Sequence, residues 1–199
     1  MKQYDGMADE TLAMLYVGGD NRAFDELLTR NQQKLYNYIL FVVRDPELAN
    51  DVFQETFVKV ISRLQEGRYS DSGKFSFWLS KIAHNVIMDT FRQQRSEHIV
   101  EATQDNDLNK LRTQDLMEIN RENEYVNSQI MMDVRHLMDT LPAPQREVVY
   151  MRYYQDLSFK EIAEATGVSI NTSLGRMRYA LINMRRMAKE HEIQLNLEL

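Results

Sequence analysis

Residues 158–186 have the sequence SFKEIAEATGVSINTSLGRMRYALINMRR, and this stretch decides the fold of the C-terminal part of the chain. Ser158 and Glu161 have the spacing of a capping box, which predicts that a short helix begins there. Gly167 stands where a tight turn requires left-handed backbone geometry, and Ser169 is placed to cap a second helix. The stretch therefore predicts two helices joined by a short glycine turn.

The second of these predicted helices is basic. Residues 165–189 contain no acidic residue, but they include Arg176, Arg178, Arg185, Arg186 and Lys189. A short helix, a glycine turn and a basic helix form the helix-turn-helix arrangement, in which the second helix enters the major groove of DNA. Its apolar spacing leaves open whether Leu174 or Ser173 faces inward together with Met177 and Leu181. An ordinary helical hairpin with a solvated basic face is the alternative interpretation.

The composition favours helices throughout the chain. Among 199 residues there are seven glycines, three prolines and no cysteine, while residue types with high helix propensity are abundant. The absence of cysteine excludes disulfide frameworks, thiolate zinc sites and cysteine nucleophiles. No apolar run approaches the roughly 18 residues of a membrane helix, and residues 1–6 lack the apolar core of a signal peptide. We therefore expect an all-α protein located in the cytoplasm.

The formal net charge of −6 is distributed unevenly. Residues 1–100 carry a net charge of −2, residues 101–133 carry −5, and residues 134–199 carry +1. Salt screens charges beyond about 10 Å, so the local field matters more than the net charge for approach to a phosphate backbone. Two basic stretches joined by an acidic one predict two separate contact surfaces and a connecting segment.

Apolar periodicity predicts three further helices before residue 97. The first ends at Asp45, the second begins at Pro46, and the third begins near Phe75 after a glycine-containing loop at residues 66–73. Residues 97–128 are polar and acidic, which is typical of a linker. The predicted architecture is two small helical bundles, residues 1–96 and 129–199, joined by the acidic linker 97–128, with the helix-turn-helix in the second bundle.

Three polar residues share one face of the second predicted helix. Asp51 and Glu55 are four residues apart, and Gln54 lies beside them. Like charges at this spacing do not stabilise a helix, so the face is consistent with docking on a basic partner. An ordinary solvated helix surface is the alternative, and no histidine accompanies the carboxylates as a metal ligand would.

Aromatic and cationic residues alternate between positions 69 and 95. The cations Lys74, Lys81, Arg92 and Arg95 alternate with the rings of Tyr69, Phe75, Phe77, Trp78 and Phe91. Single-stranded DNA is bound by such a combination, because cations follow the phosphates and exposed rings stack on bases. The alternative interpretation places Phe75 and Trp78 in the core of the bundle.

Four motifs, in this order along the chain, resemble the extracytoplasmic-function class of the sigma-70 family. Residues 51–57 match the family's D-x-x-Q-E-T-F helix, and residues 75–85 match F-x-x-W-L-x-x-I-A-x-N. Residues 141–148 match L-P-x-x-x-R-E-V, and residues 159–169 match the family's helix-turn-helix. The resemblance covers nearly the whole chain outside the linker.

The resemblance implies a promoter-specificity subunit that binds core RNA polymerase, recognises duplex −35 DNA and captures melted −10 DNA. The residues implied at the polymerase clamp helices are Asp51, Gln54 and Glu55. The residues implied at the −10 element are Tyr69, Lys74, Lys81, Asn85, Arg92 and Arg95. The residues implied at the −35 element are Ser169, Asn171, Thr172, Arg176, Arg178 and Tyr179.

The resemblance also implies the partners of the chain. The second bundle would contact the polymerase flap, and the acidic linker would lie in the RNA exit region. An anti-sigma protein would cover the binding faces and, if membrane-bound, would hold the chain at the inner face of the membrane. No cofactor, metal or small-molecule substrate is implied.

The second helix of the helix-turn-helix departs from the family's usual T-V-K-S-R-L-x-R-A. Ser173 stands in place of a core valine, Leu174 in place of a lysine, Gly175 in place of a serine, and Tyr179 in place of an arginine. Because the groove-facing side chains differ, the base edges that can be recognised differ as well.

Two other classes of protein are alternatives. A plain helix-turn-helix regulator, with an N-terminal bundle that senses a ligand or dimerises, would bind duplex operators without polymerase. An enzyme is disfavoured, because the four histidines are scattered and the sequence contains no HExxH, P-loop or G-x-S-x-G motif.

Overall fold

A computed structural model describes residues 4–69, 74–100 and 134–190, with only the backbone for residues 97–100. These residues form eight helices and include no strand, which confirms the all-α prediction. The helices are α1 (Asp9–Val17), α2 (Asn21–Val43), α3 (Pro46–Gln65), α4 (Phe75–Val100), α5 (residues 134–139), α6 (Ala143–Tyr153), α7 (Phe159–Thr166) and α8 (Ile170–Glu190).

The described helices form two compact units, one of α1–α4 and one of α5–α8. The predicted linker, residues 97–128, lies outside the described residues except for residues 97–100, whose backbone continues α4. Of the predicted loop 66–73, the structure describes residues 66–69, which are not helical. Each unit buries an apolar core of its own.

The break between α2 and α3 lies where the sequence predicts it. The carboxylate of Asp45 accepts hydrogen bonds from the backbone N–H groups of Glu47 at 2.9 Å and Leu48 at 3.1 Å. Pro46 occupies the first turn of α3, where its missing N–H needs no partner. These local interactions position the face of α3 that carries Asp51 and Glu55.

Helix α1 was not predicted from the sequence. It is only nine residues long, and exposed apolar residues obscure its periodicity. The structure buries Leu12 and Ala13 completely. The guanidinium of Arg30 in α2 donates hydrogen bonds to the carbonyl oxygens of Tyr4 at 2.9 Å and Met7 at 2.6 Å, and thereby holds the segment before α1 against α2.

The helix-turn-helix forms as predicted. The backbone N–H of Ser158 donates to the Glu161 carboxylate at 2.8 Å, and the Ser158 hydroxyl accepts from the Glu161 N–H at 3.3 Å, so the capping box is complete. Gly167 ends α7 with φ at 66°, in the left-handed region that glycine adopts without strain. The Ser169 hydroxyl accepts from the Thr172 N–H at 3.0 Å and caps α8.

The structure decides the register of α8. Ser173, Met177 and Ala180 form its buried stripe, whereas Leu174 is 44% exposed. Leu181, which was expected to face inward, is only half-buried, because Ala180 takes the buried position beside it. The spacing of four and three residues keeps this stripe on one side of the helix. Ser173 is therefore the inward residue of the two alternatives, in the position where the family has a core valine.

Candidate nucleic-acid interface

The first half of α8 presents a polar and cationic outer surface. Asn171, Arg178 and Tyr179 are exposed, and Arg176 is half-buried. In the cap, the Thr172 hydroxyl lies 2.8 Å from the Ser169 hydroxyl, so these two predicted contact residues also define where α8 begins. The structure thus brings all six predicted −35 residues onto the start of one helix.

The arginines of α8 differ in their pairing. Within residues 134–190, neither Arg176 nor Arg178 has a carboxylate within ion-pair distance. Arg186, near the end of the helix, lies 3.9 Å from the carboxylate of Glu190. Cations without an intramolecular partner can neutralise phosphates without first breaking an ion pair, so the start of α8 is electrostatically suited to a nucleic-acid backbone.

Ser173 lies directly beneath this surface and has an unusual environment. It is fully buried, and its hydroxyl has no hydrogen-bond partner among the described residues. The buried threonine of α7, Thr166, instead donates to the carbonyl of Ile162 at 2.7 Å. A buried hydroxyl without a partner destabilises a fold by about 1–3 kcal/mol, so the support of α8 is not optimised for stability.

A second candidate surface runs along α4. Lys81, Asn85 and Arg92 share one face because they are four and seven residues apart. Asn85, Arg92 and Arg95 are exposed, as is Lys74 immediately before the helix, and Lys81 is half-buried. Five of the six predicted −10 residues therefore lie along one side of α4, opposite the buried side of the helix.

Tyr69, the sixth predicted −10 residue, is not on this exposed face. Its side chain is 5% exposed and packs edge-on against Trp78 and Phe75, with ring centroids 4.9 and 5.8 Å away. Phe75 is also buried and Trp78 is half-buried, in agreement with the core alternative for these two rings. The three rings form an aromatic cluster that supports the start of α4.

The start of α4 is also held by a residue that the sequence analysis missed. The carboxylate of Glu10 in α1 accepts a hydrogen bond from the backbone N–H of Phe75 at 2.7 Å. A carboxylate at a helix N-terminus satisfies an otherwise unpaired N–H and complements the helix dipole. No sequence signal identifies this contact, since the two residues are 65 positions apart.

The outer surface of α3 carries the three polar residues that the sequence places on one face, and an apolar residue extends this surface. Asp51, Gln54 and Glu55 are all exposed on one side of the helix. Val58, four residues after Gln54, is 63% exposed on the same side. An apolar residue among polar neighbours at helical spacing was the signal that could have identified it.

A series of ion pairs connects this face to α4. Lys59 lies 2.7 Å from the Glu55 carboxylate and 4.0 Å from that of Asp89. Asp89 in turn pairs with Arg92 at 2.8 Å. Exposed ion pairs contribute only about 0–1 kcal/mol each. Another partner of Glu55 or Arg92 would therefore have to replace an existing ion pair, at a small cost in free energy.

Two classes of site are missing from the part of the chain that the structure describes. None of the described residues form a group of histidines and carboxylates that could hold a metal ion. Among the described helices, none combines the length and apolar character needed to cross a membrane.

The comparisons with known proteins all indicate the same family. Residues 27–97 match the family model for sigma-70 region 2, and residues 131–174 match the model for sigma-70 region 4. RNA polymerase sigma factor SigV of Bacillus subtilis is 26% identical over 164 residues, which cover 82% of this chain and 90% of SigV. The ECF RNA polymerase sigma factor SigX of the same organism is 28% identical over 145 residues, or 71% of each chain.

A solved structure has a similar fold. The sigma factor RpoE of Bartonella quintana, in complex with the anti-sigma factor NepR, superposes with a TM-score of 0.63 at 17% sequence identity. The superposition covers 83% of this chain and 96% of RpoE. At this identity the similarity concerns the fold.

Proposed function

Because the chain belongs to the extracytoplasmic-function class of the sigma-70 family of RNA polymerase sigma factors, we propose how its surfaces divide the work of promoter recognition. The chain is a promoter-recognition subunit of RNA polymerase and not an enzyme. The assignment of individual residues to DNA and polymerase is the proposal that follows.

Helix α8 binds the duplex −35 element. The observation that carries this assignment is the pair of arginines, Arg176 and Arg178, at the start of the second helix of a helix-turn-helix, without a carboxylate partner among the described residues. The N-terminal part of such a helix faces the base edges in the major groove. Tyr179 and Asn171 extend the contact, and Ser169 fixes the start of the helix.

The exposed face of α4 holds the melted non-template strand of the −10 element. Asn85 lies in the middle of this face and provides hydrogen bonds to an unstacked base, while Lys74, Lys81, Arg92 and Arg95 hold the phosphates. Extruding a base costs a few kcal/mol, which a shaped pocket and stacking can offset. Tyr69 enters this proposal as the buried support of Trp78 rather than as a stacking surface.

The docking face on α3 binds the clamp helices of the polymerase. Asp51, Gln54 and Glu55 supply polar and negative groups to a basic partner, and Val58 supplies an apolar centre. Interfaces commonly combine a small apolar core with a polar rim, and this face has both. The polymerase flap binds the second unit on a face other than the outer surface of α8.

An anti-sigma protein is the regulatory partner that we propose, since it would cover the exposed faces of α3, α4 and α8 and release them on a signal. The chain works in the cytoplasm, where RNA polymerase acts. A membrane-bound anti-sigma protein would hold the inactive chain at the inner face of the membrane.

Transcription with purified components tests this function. Core polymerase and the chain are incubated with a library of supercoiled templates, and run-off products are selected and sequenced. We expect initiation that depends on the chain and a selected promoter with separate −35 and −10 elements. Tight binding of the isolated chain to duplex DNA, without any association with core polymerase, would instead identify a plain helix-turn-helix regulator.

A further inference from the structure

Leu174 is an exposed aliphatic residue in the middle of the cationic surface of α8. It is 44% exposed, it follows the exposed Ile170 by one turn, and it precedes Arg178 by one turn. It does not belong to the core, because Ser173 takes the buried position beside it. Exposure of apolar surface to water is unfavourable, so a partner that covers the exposed part of Leu174 would gain free energy of binding.

Gly175 lies next to Leu174 and has no structural requirement in the free chain. Its backbone is helical, and a Cβ atom added there would meet no other atom within 4 Å. Glycine weakens a helix compared with alanine, so neither backbone geometry nor packing explains it. What the glycine does provide is bare backbone on the outer side of α8, where another molecule can approach closely.

The surroundings of these two residues indicate which molecule approaches. Residues 165–189 contain no acidic side chain, and two cations closely follow the Leu174–Gly175 pair, since Arg176 is the next residue and Arg178 lies three residues after Gly175. This charge is complementary to a groove lined with phosphates. In the major groove, the thymine C5-methyl group is the apolar feature of the base-pair edges, and apolar side chains contact it.

We propose that Leu174 is a specificity-determining residue that contacts a thymine C5-methyl group of the −35 element, and that Gly175 lets the backbone of α8 approach the bases. This inference rests on the proposed binding of α8 to the −35 duplex. It assigns to Leu174 a chemistry that a lysine at the same position does not have, because a lysine donates hydrogen bonds to guanine instead.

Deoxyuridine substitution tests the contact, because it removes the methyl group of thymine and leaves the base-pairing groups unchanged. In a promoter selected by the holoenzyme, each −35 thymine on either strand is replaced in turn, and holoenzyme affinity is measured. We expect a loss of about four-fold at one or two positions, which corresponds to one buried methyl group. In Leu174→Ala holoenzyme, the same replacement should cause no further loss.

Ile182→Ala is the matched control. Ile182 is 45% exposed on the same helix and lies eight residues, or about 12 Å along the axis, beyond Leu174. We expect this variant to retain the full loss on deoxyuridine substitution. A general effect of removing an exposed aliphatic side chain would appear in both variants and would contradict the proposal.

Gly175→Ala tests the close approach by two measurements that should change in opposite directions. The added methyl group should raise the melting temperature of the C-terminal unit, since alanine favours the helix. It should lower −35 affinity by about five-fold or more, because it crowds a close contact with the bases. A variant that is both more stable and equally tight in DNA binding would overturn the role of Gly175.

Failure of the inference is distinguishable from failure of the proposed function. Two outcomes would overturn the role of Leu174 alone and leave a protein partner as the occupant of this face. The first is a selected −35 element without a required A·T pair. The second is full tolerance of deoxyuridine by a holoenzyme that still recognises its −35 element. A chain that directs no −35-dependent initiation would overturn the function on which the inference rests.

Discussion

Helices α4 and α8 both present cations to solvent, but they differ in how these cations are paired. In α4, Arg92 pairs with Asp89, which also lies at 4.0 Å from Lys59. In α8, Arg176 and Arg178 have no carboxylate at ion-pair distance within residues 134–190. A DNA phosphate therefore gains the full attraction of the α8 arginines, whereas at Arg92 it must replace an existing partner. We expect α8 to supply more DNA affinity per cation.

The two helices also differ in what supports them. The start of α4 is held by the aromatic cluster of Tyr69, Phe75 and Trp78 and by the carboxylate of Glu10. The start of α8 has the Ser169 cap and a buried stripe in which the hydroxyl of Ser173 has no partner among the described residues.

Arg176→Ala should cause the largest effect, because Arg176 has no carboxylate at ion-pair distance within residues 134–190 and its charge is available to DNA. We expect promoter affinity to fall about 10- to 100-fold, or about 1–3 kcal/mol, with association to core polymerase unchanged. Holoenzyme binding to promoter DNA and competition for core polymerase provide the two measurements. Arg186→Ala, ten residues later and paired with Glu190, is the control and should retain most affinity. Equal loss of both activities would contradict the assignment of α8.

Glu55→Lys should weaken association with core polymerase about ten-fold, or about 1.4 kcal/mol, by placing a cation against a basic partner. The Glu55–Lys59 pair becomes a repulsion of only a few tenths of a kcal/mol within α3, so the fold should persist by circular dichroism. Competition with another sigma factor for core polymerase measures the effect. Glu66→Lys, beyond the end of α3, is the control. Unchanged competition by the Glu55 variant would contradict the docking face.

Tyr150 in α6 should make the C-terminal unit sensitive to alkaline pH. Burial raises the pKa of Tyr150 to about 12 from an ordinary value of 10.0. The folded state thus favours the protonated phenol, and the resulting stability is complete below about pH 10 and is lost as the pH rises towards 12. Because the ring is only partly buried, we expect a loss of about 1 kcal/mol.

Tyr150→Phe should remove this part of the alkaline destabilisation. Denaturant unfolding at pH 9 and pH 11.5, followed by circular dichroism, should show a smaller pH effect in the variant than in the parent chain. Trp78 is the only tryptophan of the chain and lies in the N-terminal unit, so its fluorescence is an internal control. An identical pH effect in both proteins would show that Tyr150 does not contribute.

Asp89→Asn should have the smallest effect and tests the comparison most directly. Removal of the carboxylate frees Arg92, and we expect the holoenzyme to bind −10 single strands up to about five-fold more tightly at low salt, since exposed ion pairs contribute about 0–1 kcal/mol. The gain should disappear at high salt because of screening. Arg92→Ala combined with Asp89→Asn should abolish the gain, and a gain that survives this combination would exclude Arg92 as its source.

Features that depend on neighbouring residues were predictable from the sequence. The Asp45–Pro46 start of α3, the Ser158–Glu161 capping box and the left-handed Gly167 are all confirmed. Each of these is determined by side-chain and backbone groups within a few residues of one another, so the local sequence pattern is enough to predict it. The exposed face of α4 could also be predicted from the sequence, because helical periodicity alone places its residues together.

Features that depend on distant residues were not predictable. The Glu10 bond to the start of α4 joins positions 65 residues apart, and no local pattern indicates it. Tyr69 was expected at the DNA because an aromatic residue beside cations is typical of strand-binding surfaces. The structure instead buries it, because Phe75 and Trp78 cover its ring.

Residues 158–189 predict, without any structure, that α8 is a basic helix after a glycine turn, and the motifs of the chain indicate the family to which it belongs. Which of Ser173 and Leu174 faces inward follows from the packing of the helices and not from the spacing of the residues. Both lie within one turn of Met177, so periodicity permits either. Helical spacing determines which residues share a face, but burial depends on which other helices cover that face. Here α8 packs against α6 and α7, with Ser173 buried and Leu174 exposed.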